Sequence, residues 1–391
     1  MKTSADIVII GGGISGASIG YFLLKNGAKN VVILERDYLT AGSTGRCGAG
    51  IRQQWGSDIN CILTQFSCNF FENAQEELAY PGGIEFTQGG YLFLVTTEKE
   101  LAQTKKNIAL QNSLGINSKL LTPAEAKELA PIIDTSNLLA AAYHSKDGHL
   151  SPFKTTHAFA EAFKRLGGEI YTDTTVTGIK TNQNPINGTN RVIGIETTNG
   201  NIATENIVIA AGGHTGNIAK LAGVDLPLNP VRRNILVTEP VDPILSTMVM
   251  SMSLNFYCQQ VPHGSFLMGR ACDNQPTDLR VTADSNFPET MAQAITVAMP
   301  ALKNLRMLRQ WAGIYNMSPD KHPIYSKAQN LDGLYISAGY SGHGFMLGPA
   351  TGQCMAELML GLTPTLPWER LGLSRFDAGN ESQLVHEPSV V

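Results

Sequence analysis

The chain has 391 residues, 43% of them apolar and 16% charged, with a formal net charge of −4. That length exceeds one small core and makes two domains the default, and the balance of charge offers no basic face for nucleic acid. Six cysteines (Cys47, Cys61, Cys68, Cys258, Cys272 and Cys354) are scattered without C-x-x-C or metal-ligand spacing, so they read as reduced, mostly buried thiols, with no metal site.

The first predicted element is an apolar strand, Asp6-Ile7-Val8-Ile9-Ile10. It is far too short to span a membrane and has no signal-peptide flanks, which sets a cytoplasmic expectation and leaves peripheral membrane contact open. Gly11-Gly12-Gly13-Ile14-Ser15-Gly16 follows, then a helix to Asn26 closed by Gly27, then a second strand, Val31–Leu34, ending in Glu35. Strand, G-x-G-x-x-G turn, helix and acid-tipped strand together form the dinucleotide fingerprint in its required context. Gly11 allows the tight turn, and Gly13 lets the backbone approach a pyrophosphate. Gly16 lets the helix lie close on the strand. Ile14 and Ser15 open a helix whose free N–H groups and positive dipole end face the phosphates. Glu35 is placed to accept hydrogen bonds from a ribose.

Gly42–Gly50 is a small-residue loop, and helical patterning follows over Asn60–Leu78. Gly90–Val95 reads as a strand. Thr122-Pro123-Ala124-Glu125 is a capping box with proline at the first helical position. A helix starts at Ser151-Pro152, runs to Arg165 and stops at Gly167-Gly168. Val192–Ile195 and Asn201–Ala203 flank Asn199-Gly200, the strongest short hairpin signal. Ile207–Gly213 and Leu334–Tyr340 read as further strands of the first sheet, each ending in glycine where a cofactor would pass. Pro349 opens a helix through Leu360. Glycine-rich strand ends converging from three distant segments point to a long cofactor, FAD rather than NAD.

These pieces, with Gly42-Ser43-Thr44, Ile209-Ala210-Ala211-Gly212 and Ala338-Gly339-Tyr340-Ser341-Gly342-His343-Gly344-Phe345, resemble the FAD-dependent amine and amino-acid oxidoreductases. That group includes glycine oxidase, D-amino-acid oxidase and sarcosine oxidase, and the resemblance covers nearly the whole chain. Within it, Thr44–Gln54, Gly90–Leu94, Pro300–Leu305 and Arg309–Gly313 resemble the β subunits of heteromeric dye-linked L-proline dehydrogenase and of sarcosine oxidase. The implied fold is an α/β FAD-binding Rossmann-type domain of glutathione-reductase kind, with an inserted α+β substrate domain on a mainly antiparallel sheet. The expected division gives 1–80, 150–222 and 326–377 to FAD, 81–149 and 223–325 to the substrate, and 378–391 to a loose tail.

The resemblance implies oxidation of a C–N bond next to a carboxylate, by hydride transfer to the flavin. An amino-acid carboxylate needs a fixed cation, preferably a guanidinium fork, and Arg52 matches the family's carboxylate-binding arginine. Tyr257 and Tyr315 fall at active-site aromatic positions, and His343 orients the flavin or lines the substrate pocket. The expected cofactor contacts are Gly11, Gly13, Ile14, Ser15, Gly16, Glu35, Arg36, Ser43, Thr44, Arg46, Gly48, Val176, Ala211, Gly212, Gly339, Ser341, Gly342, His343, Gly344, Phe345 and Met346. The turn from Ser341 and the following helix would stabilise negative charge on the reduced flavin.

Departures from the family sharpen the expectation. Met346 and Leu267 stand where simple sarcosine oxidases carry lysines, one for the substrate carboxylate and one promoting reaction with oxygen. Gly313 replaces the cysteine that tethers FAD, and Pro152 stands where a histidine tethers FMN. FAD is therefore expected to be non-covalent, with an FMN at a subunit interface left open. The reading is an FAD-dependent dehydrogenase for a small amino or imino acid of the L-proline, sarcosine or glycine type. It would be the catalytic β-type subunit of a complex whose partners carry further electron carriers. Two alternatives stay open: a stand-alone glycine/sarcosine-type oxidase producing hydrogen peroxide, and an FAD electron-relay subunit without its own substrate site.

Overall fold

The computed structural model describes residues 1–183, 190–271, 275–380, 384, 386 and 387; Cys272 lies outside them. The fingerprint strand Ile7–Ile10 is buried at every position and lies in parallel between Val31–Leu34 and Ile207–Ile209. A strand covered on both faces needs a continuous apolar run rather than alternation, and each of these three has one. The sheet has six strands, in the order Ile324–Lys327, Leu334–Ala338, Ile207–Ile209, Ile7–Ile10, Val31–Leu34, Glu169–Tyr171. Only the Ile324–Lys327 edge is antiparallel. Because that edge strand belongs to this sheet, the expected boundary at 325/326 falls inside it.

Helix Ile14–Lys25 lies over the sheet, with helices Gly348–Leu360 and Pro152–Arg165 packed against it. Small residues set these approaches. A Cβ at Gly20 would press on the Phe163 ring at 2.9 Å, and one at Gly352 would meet the Ser18 carbonyl oxygen at 2.7 Å.

A second sheet of eight strands draws on residues 91–144 and 229–317. Its order is Met307–Met317, Asn229–Pro240, Ser265–Arg270, Phe256–Gln260, Met248–Ser251, Tyr91–Val95, Ala140–His144, Lys119–Leu121. All neighbours are antiparallel except Met248–Ser251 with Tyr91–Val95. The predicted hairpin forms from Asn190–Thr197 and Gly200–Ala203, with Gly200 at φ +115°. Gly50–Ile51 and Gly148–His149 make a short ribbon.

Local signals act as the sequence implies. Thr122 and Glu125 close a reciprocal capping box on Pro123–Leu129, and the Ser151 hydroxyl accepts from the Lys154 N–H at 3.3 Å. The helix expected over Asn60–Leu78 is instead two, Asp58–Glu72 and Ala74–Leu78. Asn73 interrupts it, donating from its side chain to the Asn69 carbonyl at 2.8 Å. Helix Glu98–Ser113 has no sequence counterpart above, because it buries only Gln111 and shows no apolar face; its Thr97/Glu100 capping box was the available signal.

The five described cysteines are free, four of them buried. Among the described residues no helix is long and apolar enough to cross a membrane. Much of the expected loose tail lies outside the described residues, and at Glu387 the expectation fails. That carboxylate is fully buried, accepting from the Ser57 hydroxyl at 2.6 Å and the Asn60 amide at 3.2 Å.

Candidate active site

A cavity of about 720 Å³ runs from the fingerprint turn to the inner face of the eight-stranded sheet. At its first end the backbone is the wall. Gly11 takes φ +119°, and a Cβ there would overlap the Ala210 carbonyl of the neighbouring strand. A Cβ on Gly13 would lie 2.9 Å from the Thr44 hydroxyl, which accepts from the Ile14 N–H at 3.1 Å. Ile14, Ser15, Ala211 and Gly212 complete this end, with Val176 beyond them. Glu35 lines the cavity while its oxygens accept from the Gly12 N–H at 2.7 Å and the Asp37 N–H at 2.9 Å. These bonds fix the carboxylate and leave it lone pairs for a ribose. Arg36 also lines the cavity, but its guanidinium is turned onto Asp37 at 3.0 Å.

Two expected cofactor glycines do not line the cavity. Gly16 serves packing, since a Cβ there would overlap the Gly11 carbonyl oxygen. Gly339, at φ +70°, is set back against Ser318 and Ile324.

The small-residue loop crosses the middle of the cavity and is pinned to the second sheet. The Ser43 hydroxyl donates to the Ile314 carbonyl at 2.7 Å, and Trp311 Nε1 donates to the Arg46 carbonyl at 3.0 Å. Gln259 Nε2 donates to the Gly48 carbonyl at 2.8 Å, and a Cβ on Gly48 would lie 2.9 Å from the Tyr257 ring. Gly313 faces Arg46, its Cβ position 3.2 Å from the Arg46 Cβ.

Opposite the loop, Ser341 (φ +49°) and Gly342 (φ +96°) make a left-handed turn, with Gly342 against the Tyr315 ring. His343, Gly344, Phe345 and Met346 continue the lining. His343 is buried, and neither ring nitrogen has a partner among the described residues. Burial, with help from His322 and Arg52, holds its pKa well below the usual histidine value, so the ring is neutral.

Arg52 is 4% exposed at the far end. Its guanidinium stacks 3.6 Å from the Trp55 ring and lies 5.3 Å from that of Phe93, while Nη1 donates to the Gln54 carbonyl at 3.0 Å. Tyr91, Tyr257 and Tyr315 line this end, and burial raises the pKa of each hydroxyl above the ordinary phenol value. Protonated phenols and a neutral imidazole therefore share the cavity with a fixed cation. Trp55, Tyr91, Met248 and Gln259 were absent from the sequence-derived site. Tyr91 had the available signal, a polar tip on an otherwise apolar strand.

The lining fits an elongated flavin dinucleotide. It combines a glycine cradle that side chains would fill with buried polar atoms lacking partners, the His343 nitrogens and Asn316 Oδ1. Fold and site thus define a flavin-dependent oxidoreductase. The family model for FAD dependent oxidoreductases matches residues 6–358, and the chain belongs to that family. It is 29% identical to sarcosine oxidase subunit beta of Rhodobacter capsulatus, over 97% of this chain and 90% of that one. The crystal structure of L-proline dehydrogenase from P. horikoshii superposes with a TM-score of 0.91 at 35% identity, covering 97% of this chain and 99% of that one. Glycine oxidase from Geobacillus kaustophilus shares the fold, with a TM-score of 0.85 at 24% identity over 96% and 99%.

Proposed function

We propose that this chain is a cytoplasmic amino-acid dehydrogenase that oxidises the C–N bond of a small amino or imino acid, of L-proline, sarcosine or glycine type. The observation that carries the reading is the buried Arg52 guanidinium, which lines one cavity with Tyr91, Tyr257, Tyr315 and His343. Bound FAD supplies the hydride acceptor for the carbon next to nitrogen. Arg52 grips the carboxylate, and low surrounding polarity strengthens that grip. The phenols donate hydrogen bonds and exclude water. Neutral His343 lines the pocket with ring nitrogens that have no partner among the described residues, which suits it to hydrogen-bond flavin or substrate rather than to take up a proton. The domain division follows the two sheets, with strand Ile324–Lys327 returned to the FAD side.

The chain is proposed as the catalytic β-type subunit of a heteromeric assembly, since its Rhodobacter capsulatus relative is named as a subunit beta. Partner subunits would take the electrons onward. FAD would be non-covalent, with Gly313 and Pro152 at the tether positions. Acid precipitation tests this: all yellow colour should stay in the supernatant as FAD, and any FMN from an interface would appear there separately. Flavin remaining in the pellet refutes a non-covalent site. Anaerobic bleaching of the flavin by a panel of N-alkyl glycines, D- and L-amino acids and prolines tests the substrate class. No bleaching by any of them supports an electron-relay role.

A further inference from the structure

We propose that Asp147 is a positioning residue for substrate binding, its buried carboxylate fixing the turn that aims the Arg52 guanidinium. This rests on reading Arg52 as the carboxylate anchor. A two-pronged grip requires one rotamer of a long, flexible side chain. Atoms close in sequence help to set that rotamer: Nη1 donates to the Gln54 carbonyl at 3.0 Å, and Trp55 Nε1 donates back to the Arg52 carbonyl at 3.1 Å. No regular structure holds this turn, because strand Gly50–Ile51 stops before it and helix Asp58–Glu72 starts after it.

Asp147 holds it. One oxygen accepts from the Gln53 N–H at 2.9 Å, and the other accepts from Gln54 Nε2 at 3.1 Å. Gln54 Nε2 also donates to the Tyr91 carbonyl at 3.0 Å. The carboxylate is itself fixed by His144 Nδ1 at 2.8 Å, and the Asp147 carbonyl accepts from the Gly90 N–H at 2.9 Å. Asp147, through its fully buried side chain and its own carbonyl, and with Gln54 between, thus ties the Arg52 turn to the strand that carries Tyr91 and Phe93. Asp147, His144, Gln53 and Gln54 line no part of the cavity, so none of them meets substrate or flavin directly. Each polar group added to such a buried network raises the cost of disturbing it.

Asp147→Asn preserves size but turns an amide N–H toward one of the three donors. The test is the ratio of affinities for a carboxylate and its uncharged amide, acetate against acetamide and pyrrole-2-carboxylate against its carboxamide, read from perturbation of the bound flavin spectrum. Asp147→Asn should weaken the acids about tenfold while the amides move less than about twofold. General loosening of the fold would weaken both alike and overturn the proposal. Should Asp147→Asn fail to fold, Gln54→Met removes one donor and keeps the Gln54 carbonyl, and the same loss of preference for the acid is expected. Arg52→Met removes the charge and separates the two readings. If it loses that preference while the Asp147 and Gln54 variants keep it, the positioning role falls and the anchor stands. If Arg52→Met keeps the preference, both fall.

Discussion

At the Gly11 end of the cavity the wall is main chain, whereas at the Arg52 end it is side chain. The first is formed where parallel strands stop beside one helix N-terminus, and glycines there leave room that a single Cβ would fill. Its donors are backbone N–H groups, already ordered, so binding a pyrophosphate orders little more. The second end gathers Arg52, Trp55, Tyr91, Tyr257, Tyr315 and His343 from segments far apart in the chain. Its chemistry depends on burial, which raises the phenol pKa values and lowers that of the imidazole. The two ends should therefore fail in opposite ways, one to added atoms and the other to altered functional groups.

The largest effect is expected for Gly13→Ala. Among the described residues the new methyl would meet only the Thr44 side chain within 4 Å, and a shift of that hydroxyl relieves the 2.9 Å contact, so the fold should survive with a small drop in Tm. Close approach of the pyrophosphate is lost, and FAD affinity should fall by about 100-fold or more. Equilibrium dialysis with free FAD measures this. Retained FAD with impaired substrate binding would break the division between the ends.

Arg52→Lys probes the other end. Lysine keeps a charge but loses the fork and the stacking on Trp55, and a charge-assisted hydrogen bond contributes roughly 1.5–3 kcal/mol. KM for the amino acid should rise by about 30-fold, with FAD content unchanged. A variant that loses FAD but keeps its substrate affinity moves Arg52 to the cofactor.

Legibility in the sequence divides along the same line. The Gly11 turn is legible because strand, turn, helix and acid are local, each with its own residue signature. Capping boxes and the Asn199-Gly200 hairpin are local for the same reason. Gly16 and Gly339 show the limit of such reading: Gly16 keeps the helix-on-strand packing read for it but does not line the cavity, and Gly339 packs on Ser318 and Ile324 instead of facing a cofactor. The Arg52 end needed resemblance to known oxidoreductases, since spacing does not show that strand Tyr91–Val95 brings Tyr91 beside Arg52. Gln259 reaches Gly48 and Trp55 reaches His343 only after folding. Glu387 returns to Ser57 across 330 residues, a contact without local pattern.

His149 lies behind the cavity wall, on the ribbon that pairs with Gly50–Ile51. Burial lowers its pKa to about 4. An unfolded histidine titrates near 6.5, so between about 6.5 and 4 the unfolded chain binds more protons. Stability is therefore complete above that window and is lost as pH falls through it. From pH 7 to pH 5 the linkage amounts to about 2 kcal/mol. Urea unfolding at the two pH values, with His149→Gln as comparison, should show the parent losing about that much more than the variant. Equal losses would place the acid sensitivity elsewhere.

The smallest effect concerns electrons, where both ends meet at the flavin. Leu267 lies on the face that carries Gln259, beside Gly48, and Met346 is buried in the lining. Among the described residues no lysine lines the cavity. Superoxide forming beside a reduced flavin is stabilised by a nearby cation, and one such electrostatic contact is typically worth about 10²–10³ in rate. Other cavity cations recover part of that, so turnover with an artificial dye should exceed turnover with oxygen by about tenfold. Leu267→Lys should raise the oxygen rate by a similar factor and leave the dye rate unchanged, because it adds charge without touching Arg52. Stopped-flow mixing of reduced protein with air-saturated buffer measures both chains directly. Fast reoxidation of the parent with stoichiometric peroxide would replace the dehydrogenase by a self-sufficient oxidase, and the missing lysines would then have no bearing on the acceptor.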